Sequence, residues 1–574
     1  MTRRALALAG ALLVALLIAP AGASAHALLI DTVPQRGATL REAPRQVVLR
    51  FSESVEGNFG ALRVFDAGAK RVDDGRTVHP NGSGSRLAVG LEAGLPDGTY
   101  VATYRVISAD SHPVSGGLVF SVGTPGAAAT PTVSELIGDS SAGPVTQGVF
   151  GLARGLTYLT TAIVLGGLVF LLAVWLPALR AVPGAGEEWV AASAAFARRT
   201  RRLLLGAAAV GVLSGCAGIV LQGATAGATS GWAALAPSVV GDVLGTRFGR
   251  VWGLRVLAFV GLLGAFALRG RRRAALALAA PPAAFVALAP ALAGHASAQS
   301  PAALLFPLDV AHVLAMSAWI GGLIMLLFAL PAATRRLVAA ERTRLLAAGL
   351  VRFSPLALGC VVVLLVTGTI QAIEHVGSWD ALTNTGFGRA VVIKVALIVA
   401  LIGLGAVNRR RVVPALRALV ETGAAPGGAG HLLRRTLRAE AALVVVVLGV
   451  TSALVSYPPP SSAAGGPFSA STALGPLRME VTADPARVGP NEMHLYLLRA
   501  DNGIPYEGTK ELTVTLALPR QQIGPLTVRA REAGPGHYVI DTVQLVPAGD
   551  WKLAVTSRVS EFDQYEGALT VPVR

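Results

Sequence analysis

Two kinds of hydrophobic pattern divide the chain. In residues 26–123 and 477–574, short runs such as Gln46–Phe51 and Glu511–Leu516 alternate apolar and polar side chains between Gly, Pro and Asp turns. This alternation indicates strands with one buried face. Long apolar stretches lie between the two segments. The pattern predicts a multi-domain membrane protein with an N-terminal all-β sandwich or barrel, an all-α eight-span transmembrane bundle and a C-terminal β-sandwich.

Eight apolar stretches, numbered here as spans 1 to 8, approach the ~20 residues that cross a bilayer. They lie near residues 150–176, 203–223, 251–268, 274–294, 306–331, 350–372, 389–407 and 438–456. Pro281 and Pro282 interrupt span 4, but the pairing of short loops favours an even count of eight. Residues 124–147 and 458–476 are rich in small residues and proline, and we expect them to link the membrane domain, 148–457, to its neighbours.

The net charge of +16 is distributed as a membrane topology signal. The arginines cluster in the loops that follow spans 1, 3, 5 and 7, and the alternate loops carry few. Positively charged loops stay in the cytoplasm. We therefore expect a multi-pass protein of the bacterial cytoplasmic membrane, embedded in the lipid bilayer, with both β domains outside. Nucleic acid is not an expected partner, because the basic residues flank apolar stretches.

The first 25 residues have the pattern of a signal peptide. Arg3 and Arg4 precede an apolar core, and Ala23-Ser24-Ala25 provides a small-residue cleavage site. Cleavage after Ala25 would make His26 the first residue of the mature chain.

A metal-ligand set follows from that cleavage. His26 would offer its α-amine and its imidazole, while Asp110 and His112 point to one face of an extended chain. Pro113 favours the extended backbone at His112. Three nitrogens and one oxygen in a tetragonal arrangement suit Cu(II), with zinc as a competitor. We predict a copper site at His26, Asp110 and His112.

Residues 26–123 resemble the CopC family of copper-binding β-barrel proteins. The resemblance rests on His26-Ala27, Phe51-Ser52-Glu53, the run from Pro96 to Tyr100 and the run from Arg105 to Gly116. It implies that His26, Asp110 and His112 ligate Cu(II). Some members also have a methionine-rich Cu(I) site, but residues 26–123 contain no methionine.

Span 5 carries an unusual polar face. Asp309, His312, Met316 and Trp319 are spaced three, four and three residues apart, which places them on one side of a helix. Gly321-Gly322 follows and would allow close helix packing. Ionisable groups within a membrane usually face the bundle interior or a water-filled path. We expect a membrane metal or transport site here, formed by Asp309, His312, Met316, His295 and His375. The alternative is that these groups cap helix ends or bond to one another.

Residues 150–457 resemble the CopD family of membrane copper proteins. The matching pieces are Asp309-Val310-Ala311-His312 with Trp319–Gly322, Arg352-Phe353-Ser354, Gly386–Arg389 with Lys394, Asn408-Arg409 and Arg438-Ala439-Glu440. This resemblance implies copper uptake across the membrane or copper handling at it.

The C-terminal segment 477–574 resembles YtkA-like β-sandwich modules. The resemblance is carried by Gly536-His537-Tyr538 and Ala548–Trp551. Met493, His494 and His537 are weaker copper-ligand candidates. Packing or partner docking is the favoured role for this domain.

Three functions remain open from the sequence. The leading one is a non-enzymatic copper importer that captures Cu(II) outside the membrane, and no nucleotide-binding loop accompanies it. The second is copper sequestration or sensing that contributes to resistance without transport. The third is a membrane oxidoreductase with a histidine-bound copper or haem. The direction of copper movement, the oxidation state and any periplasmic chaperone or reductase stay open.

Overall fold

The structure is a computed structural model of the chain. It describes residues 27–573 apart from 28, 36–37, 52, 58–60, 109–112, 125–135, 137–141, 183, 185, 228, 230–231, 269–271, 295–301, 377–378, 456–467, 485, 501–504 and 535. The signal peptide and its cleavage site therefore lie outside the described residues.

Among its described residues, the N-terminal domain has nine strands in two sheets. Strands β1 to β9 span Leu29–Val33, Thr39–Leu40, Gln46–Phe51, Val55–Glu56, Leu62–Phe65, Asp73–Val78, Arg86–Leu91, Gly98–Ser108 and Pro113–Val122. One sheet has the order β1-β3-β7-β6, and the other has the order β2-β9-β8-β4 with β5 also paired to β8. Both sheets contribute to one apolar core, as the predicted sandwich or barrel requires.

Alternation of side chains explains how these strands form the core. In β3, Val47, Leu49 and Phe51 are buried, and the residues between them are more exposed. Phe51 meets Tyr104 of β8 edge to face, with ring centroids 5.5 Å apart. The aromatic contact joins a strand of each sheet across the core.

The central part of the chain is helical. Among the described residues, eight helices are long and apolar enough to cross a membrane. Spans 1 to 8 correspond to the helices Gly143–Ala181, Glu187–Gly227, Arg247–Ala267, Arg273–Ala293, Ala302–Thr334, Ala339–Val376, Gly386–Glu421 and Gly427–Leu454. Shorter helices, Pro237–Gly245 and Trp379–Asn384, precede spans 3 and 7. The predicted eight-span bundle is confirmed, including span 4, whose helix continues through its prolines.

Glycine allows spans 1 and 5 to approach closely. A Cβ atom at Gly166 would lie 2.0 Å from the carbonyl oxygen of Ser317, and one at Gly321 would lie 2.2 Å from that of Ala162. A Cβ atom at Gly322 would similarly lie 2.2 Å from the ring of Phe353 in span 6. The predicted role of Gly321-Gly322 in close packing is confirmed, and Gly166 supplies the opposite surface.

The described part of the C-terminal domain has nine strands in two sheets around one core. Strands β10 to β18 span Phe468–Leu474, Leu477–Asp484, Gly489–Arg499, Glu511–Leu518, Ile523–Val528, Arg531–Gly534, His537–Leu545, Gly549–Arg558 and Gln564–Val573. The sheet orders are β10-β11-β12-β16-β15 and β14-β13-β17-β18. Residues of both sheets, including Leu495 and Leu553, share the core, so a β-sandwich is observed.

Two predicted linker boundaries differ from the structure. Span 1 begins at Gly143, inside the predicted linker 124–147, and β10 lies inside the predicted linker 458–476. The sequence Phe-Ser-Ala-Ser-Thr-Ala-Leu of β10 is linker-like in composition. It forms a strand because its backbone pairs with β11 across a turn at Gly475, whose φ of 63° suits glycine.

Candidate functional site

The three predicted copper ligands of the N-terminal domain lie outside the described residues. Described residues near them in the chain contribute to one apolar core. Ala27, which follows His26, belongs to the same apolar cluster as Val106 of β8 and Val114 of β9. Strands β8 and β9 pair antiparallel up to Ile107↔Pro113, so residues 109–112 connect two long paired strands.

The polar face of span 5 borders a cavity of about 260 Å³ within the helical unit. Asp309, His312 and Met316 line it, together with His375 of span 6 and Lys394 of span 7. Four of the five predicted membrane-site residues therefore share one cavity. The fifth, His295, lies outside the described residues.

Two hydrogen bonds tie span 5 to span 6 at this cavity. His312 Nδ1 lies 2.8 Å from Thr367 Oγ1, and Gln371 Nε2 donates to Asp309 Oδ1 over 3.2 Å. The Thr367 hydroxyl donates its one proton to the carbonyl oxygen of Val363 at 2.8 Å. Its oxygen is thus the acceptor for His312 Nδ1–H, which leaves the lone pair of His312 on Nε2. A neutral imidazole in this tautomer is the form that binds metal ions.

A second cavity, of about 320 Å³, is lined by the buried carboxyl group of Glu440 in span 8 and by Asn408 of span 7. Asn408 Nδ2 donates to Glu440 Oε1 at 2.9 Å, and Thr436 donates to Asn408 Oδ1 at 2.6 Å. Arg409 also lines this cavity and donates to Ser354 Oγ at 3.2 Å. This network satisfies a buried polar group within an apolar bundle.

Trp319 and Leu401 line both cavities. Both side chains are buried, with exposures of 8% and 2%. The two cavities are therefore adjacent, and a bulky indole and a leucine side chain stand where they meet. One cavity contains Asp309 and His312, near the start of span 5, and the other contains Asn408, in the later part of span 7.

The described residues contain no group of three or more His, Cys, Asp or Glu side chains placed to hold a metal ion together. Asp309, His312 and His375 share a cavity without forming such a group.

Several residues at the first cavity are not indicated by the sequence. Thr367, Gln371 and Tyr158 line or support the first cavity but are uncharged, so a search for ionisable residues within spans passes over them. Their one available signal is spacing, since Thr367 and Gln371 lie four residues apart and share a face of span 6.

Comparison with known proteins agrees with this architecture. Residues 29–123 match the family model of the CopC domain, 145–305 that of the copper resistance protein D-like N-terminal domain, and 347–454 that of copper resistance protein D. The chain belongs to the CopC–CopD fusion family of copper transport and copper resistance proteins. It thus joins a CopC-type copper-binding domain to a CopD-type multi-pass membrane domain.

Relatives of this CopC–CopD fusion include proteins of full and partial length. Copper transport protein CutJ of Bacillus subtilis is 28% identical over 567 residues, which are 96% of this chain and 97% of that protein. Protein YobA of Escherichia coli is 31% identical over 121 residues, 21% of this chain and 97% of YobA. Among solved structures, CopC from Methylosinus trichosporium OB3b is 28% identical, covering 17% of this chain and 95% of its own, with a TM-score of 0.16.

Proposed function

We propose that this protein imports copper, capturing Cu(II) at its CopC domain outside the cytoplasmic membrane and passing copper inward through its helical unit. The observation that carries the proposal is the pair of cavities separated by Trp319 and Leu401. Ligand-type side chains line the first of them. Copper is the cargo in this scheme, and no catalytic reaction is assigned to the chain.

Capture is assigned to His26, Asp110 and His112. The α-amine, two imidazoles and one carboxylate form a set that suits tetragonal Cu(II). Support comes from described residues near these ligands in the chain, because Ala27, Val106 and Val114 pack in one apolar core. Binding requires a deprotonated α-amine, so affinity rises with pH through the range where that amine titrates, near pH ~7.7–8.

Passage through the membrane is assigned first to the cavity of span 5. His312 presents a neutral Nε2, and Asp309 and Met316 add an oxygen and a thioether sulfur. These three donor types differ in softness, so the cavity has ligands for either oxidation state of copper. Ligands that do not enclose the ion release it more readily, as passage requires.

Inward movement follows from charge and topology. Loops rich in arginine follow spans 1, 3, 5 and 7, which supports a cytoplasmic position for those ends. In that orientation the span 5 cavity lies nearer the outside, and the Glu440 cavity lies nearer the cytoplasm. A negative interior favours inward movement of each unit of positive charge by about 2.3 kcal/mol per 100 mV.

The test is total cellular copper, measured by mass spectrometry in cells that express the wild type, His312→Ala or His431→Ala at equal membrane levels. His431 is exposed and contacts Arg434, outside both cavities, so its variant is the matched control. We expect more copper with the wild type and the control than in cells without the protein, and a loss of that excess with His312→Ala. Equal copper in all strains would contradict import and favour sequestration at the outer domain.

A further inference from the structure

The C-terminal domain brings two distant histidines together. His494 of β12 and His537 of β16 are separated by 43 residues, yet His494 Nδ1 lies 3.0 Å from His537 Nε2. The antiparallel pairing of β12 with β16 produces this contact, because His494 pairs with Val539 and Tyr496 pairs with His537. The two imidazoles are therefore diagonal neighbours on one face of the sheet.

A carboxylate and an aromatic ring lie against the two histidines. His494 Nε2 lies 3.3 Å from Glu492 Oε1, two residues earlier on the same face of β12. At this distance the carboxylate can orient the His494 ring. Tyr496 stacks on His537 with ring centroids 4.4 Å apart and planes 7° from parallel.

Both histidines are nearly buried, with exposures of 5% and 7%. His494 Nδ1 and His537 Nε2 face each other at hydrogen-bond distance, so one of these two nitrogens donates and the other carries a lone pair.

The separation of the two nitrogens matches metal ligation. Two imidazole nitrogens 3.0 Å apart, each about 2.0 Å from one ion, subtend an angle of about 97° at that ion. This angle is near the 90° between neighbouring ligands of a square plane, the arrangement that Cu(II) prefers. Each ring turns so that a lone pair points at the ion, and the ring that donates in the metal-free pair moves that proton to its other nitrogen. No net proton is released from two neutral rings.

We propose that His494 and His537 form a second copper(II) site, on the C-terminal domain, with Glu492 as the positioning residue that orients His494. Water supplies the remaining ligands at the half-buried edge formed by Glu492 and Tyr496. The site is independent of the N-terminal ligands and of the membrane cavity. It makes the C-terminal domain a copper-binding module as well as a packed β-sandwich.

The experiment uses the full-length chain in detergent with the other proposed side-chain ligands removed by His26→Ala, Asp110→Asn, His112→Ala and His312→Ala. Copper per chain is measured by mass spectrometry after equilibration with Cu(II) and dialysis, and electron paramagnetic resonance reports the ligating nitrogens. We expect about one Cu(II) per chain with a two-nitrogen signature. Adding His494→Gln and His537→Gln removes that copper, whereas adding His431→Gln does not.

Glu492→Gln distinguishes loss of copper binding from loss of folding, because Glu492 is partly exposed and lies outside the core. We expect this variant to retain its thermal unfolding midpoint and to bind copper about 10–100-fold more weakly. Absence of copper from the background chain, retention of copper by the folded His494→Gln/His537→Gln chain, or unchanged affinity in Glu492→Gln would each overturn the proposal.

Discussion

His312 Nδ1 lies 2.8 Å from Thr367 Oγ1, and this contact between spans 5 and 6 leaves Nε2 of the imidazole for the proposed copper contact. Thr367 in turn donates to Val363 within its own helix. The hydroxyl is thus held as an acceptor toward His312. Thr367, which is uncharged and is not a proposed copper ligand, thereby influences the tautomer of His312.

Replacement of Thr367 by valine tests that relationship. Valine has a similar shape but no hydroxyl, so His312 loses its acceptor and the preference for the Nε2 lone pair. We expect copper accumulation in cells to fall by about 10–100-fold in initial rate, the usual effect of losing such a partner. Thr367→Ser, which keeps the hydroxyl, should restore the rate. Wild-type accumulation with Thr367→Val would contradict the assigned role.

Trp319 is predicted to restrict passage between the two cavities. Trp319→Leu removes most of the indole at their junction, while the side chain stays apolar. We expect copper to enter vesicles containing the purified protein about tenfold faster, equivalent to about 1.4 kcal/mol from the barrier. Trp379→Ala is the control, because Trp379 lies on a short helix and is 84% exposed. Slower entry, or no change, would mean that Trp319 does not form a gate.

The contact between spans 1 and 5 predicts a stability effect. Gly166→Ala places a Cβ atom against the carbonyl oxygen of Ser317, a backbone atom that cannot move away easily. We expect a destabilisation of about 1–3 kcal/mol, read as a lower thermal unfolding midpoint in detergent. A Cβ atom at Gly403 meets nothing within 4 Å, so Gly403→Ala should leave the midpoint unchanged or raise it. Equal midpoints for the two variants would show that the spans can separate without cost.

The N-terminal domain should lose stability in acid through Asp73. Burial alone would raise the pKa of Asp73, but hydrogen bonds from Arg71, Val64 and Gly75 outweigh it and hold that pKa below its ordinary value. Because this carboxyl pKa is lower in the folded than in the unfolded state, ionised Asp73 stabilises the fold above the unfolded-state pKa of ~3.9. The stabilisation is lost as pH falls through the folded-state pKa.

Asp73→Asn should remove this contribution at neutral pH, at a cost of roughly 1.5–3 kcal/mol for hydrogen bonds to a charged group. Hydrogen exchange of β6 in the full-length chain measures the effect. We expect faster exchange in the variant at pH 7 and a smaller difference from wild type near pH 3. A difference that does not change with pH would contradict the linkage.

His112→Ala tests the capture site in the full-length chain. The variant removes one nitrogen of the proposed tetragonal set, so tight Cu(II) binding at the N-terminal domain should disappear in a competition titration. His79→Ala in the same domain is the control. Unchanged high-affinity Cu(II) binding in His112→Ala would contradict the proposed ligand set.

Much of this architecture could be predicted from the sequence, because long apolar stretches and the alternation of apolar and polar residues are both strong signals. Apolar stretches located all eight spans, and alternation located both β domains. The spacing of Asp309, His312 and Met316 placed them on one helix face, and they line one cavity. The rest depends on tertiary contacts. Thr367 and Glu440 acquire their partners from other helices, and His494 meets His537 only through the register of β12 and β16.

Copper import is measured most directly as copper entry into sealed vesicles that contain the purified protein and an internal copper-sensitive dye. The wild type, His312→Ala and vesicles without protein are compared under an inside-negative potential, with Cu(II) or reduced copper outside. We expect saturable entry with the wild type that is faster than in protein-free vesicles. In His312→Ala the rate of entry should fall at least about tenfold, equivalent to an increase of about 1.4 kcal/mol in the barrier. Entry no faster than in protein-free vesicles, with either form of copper, would contradict transport through the helical unit.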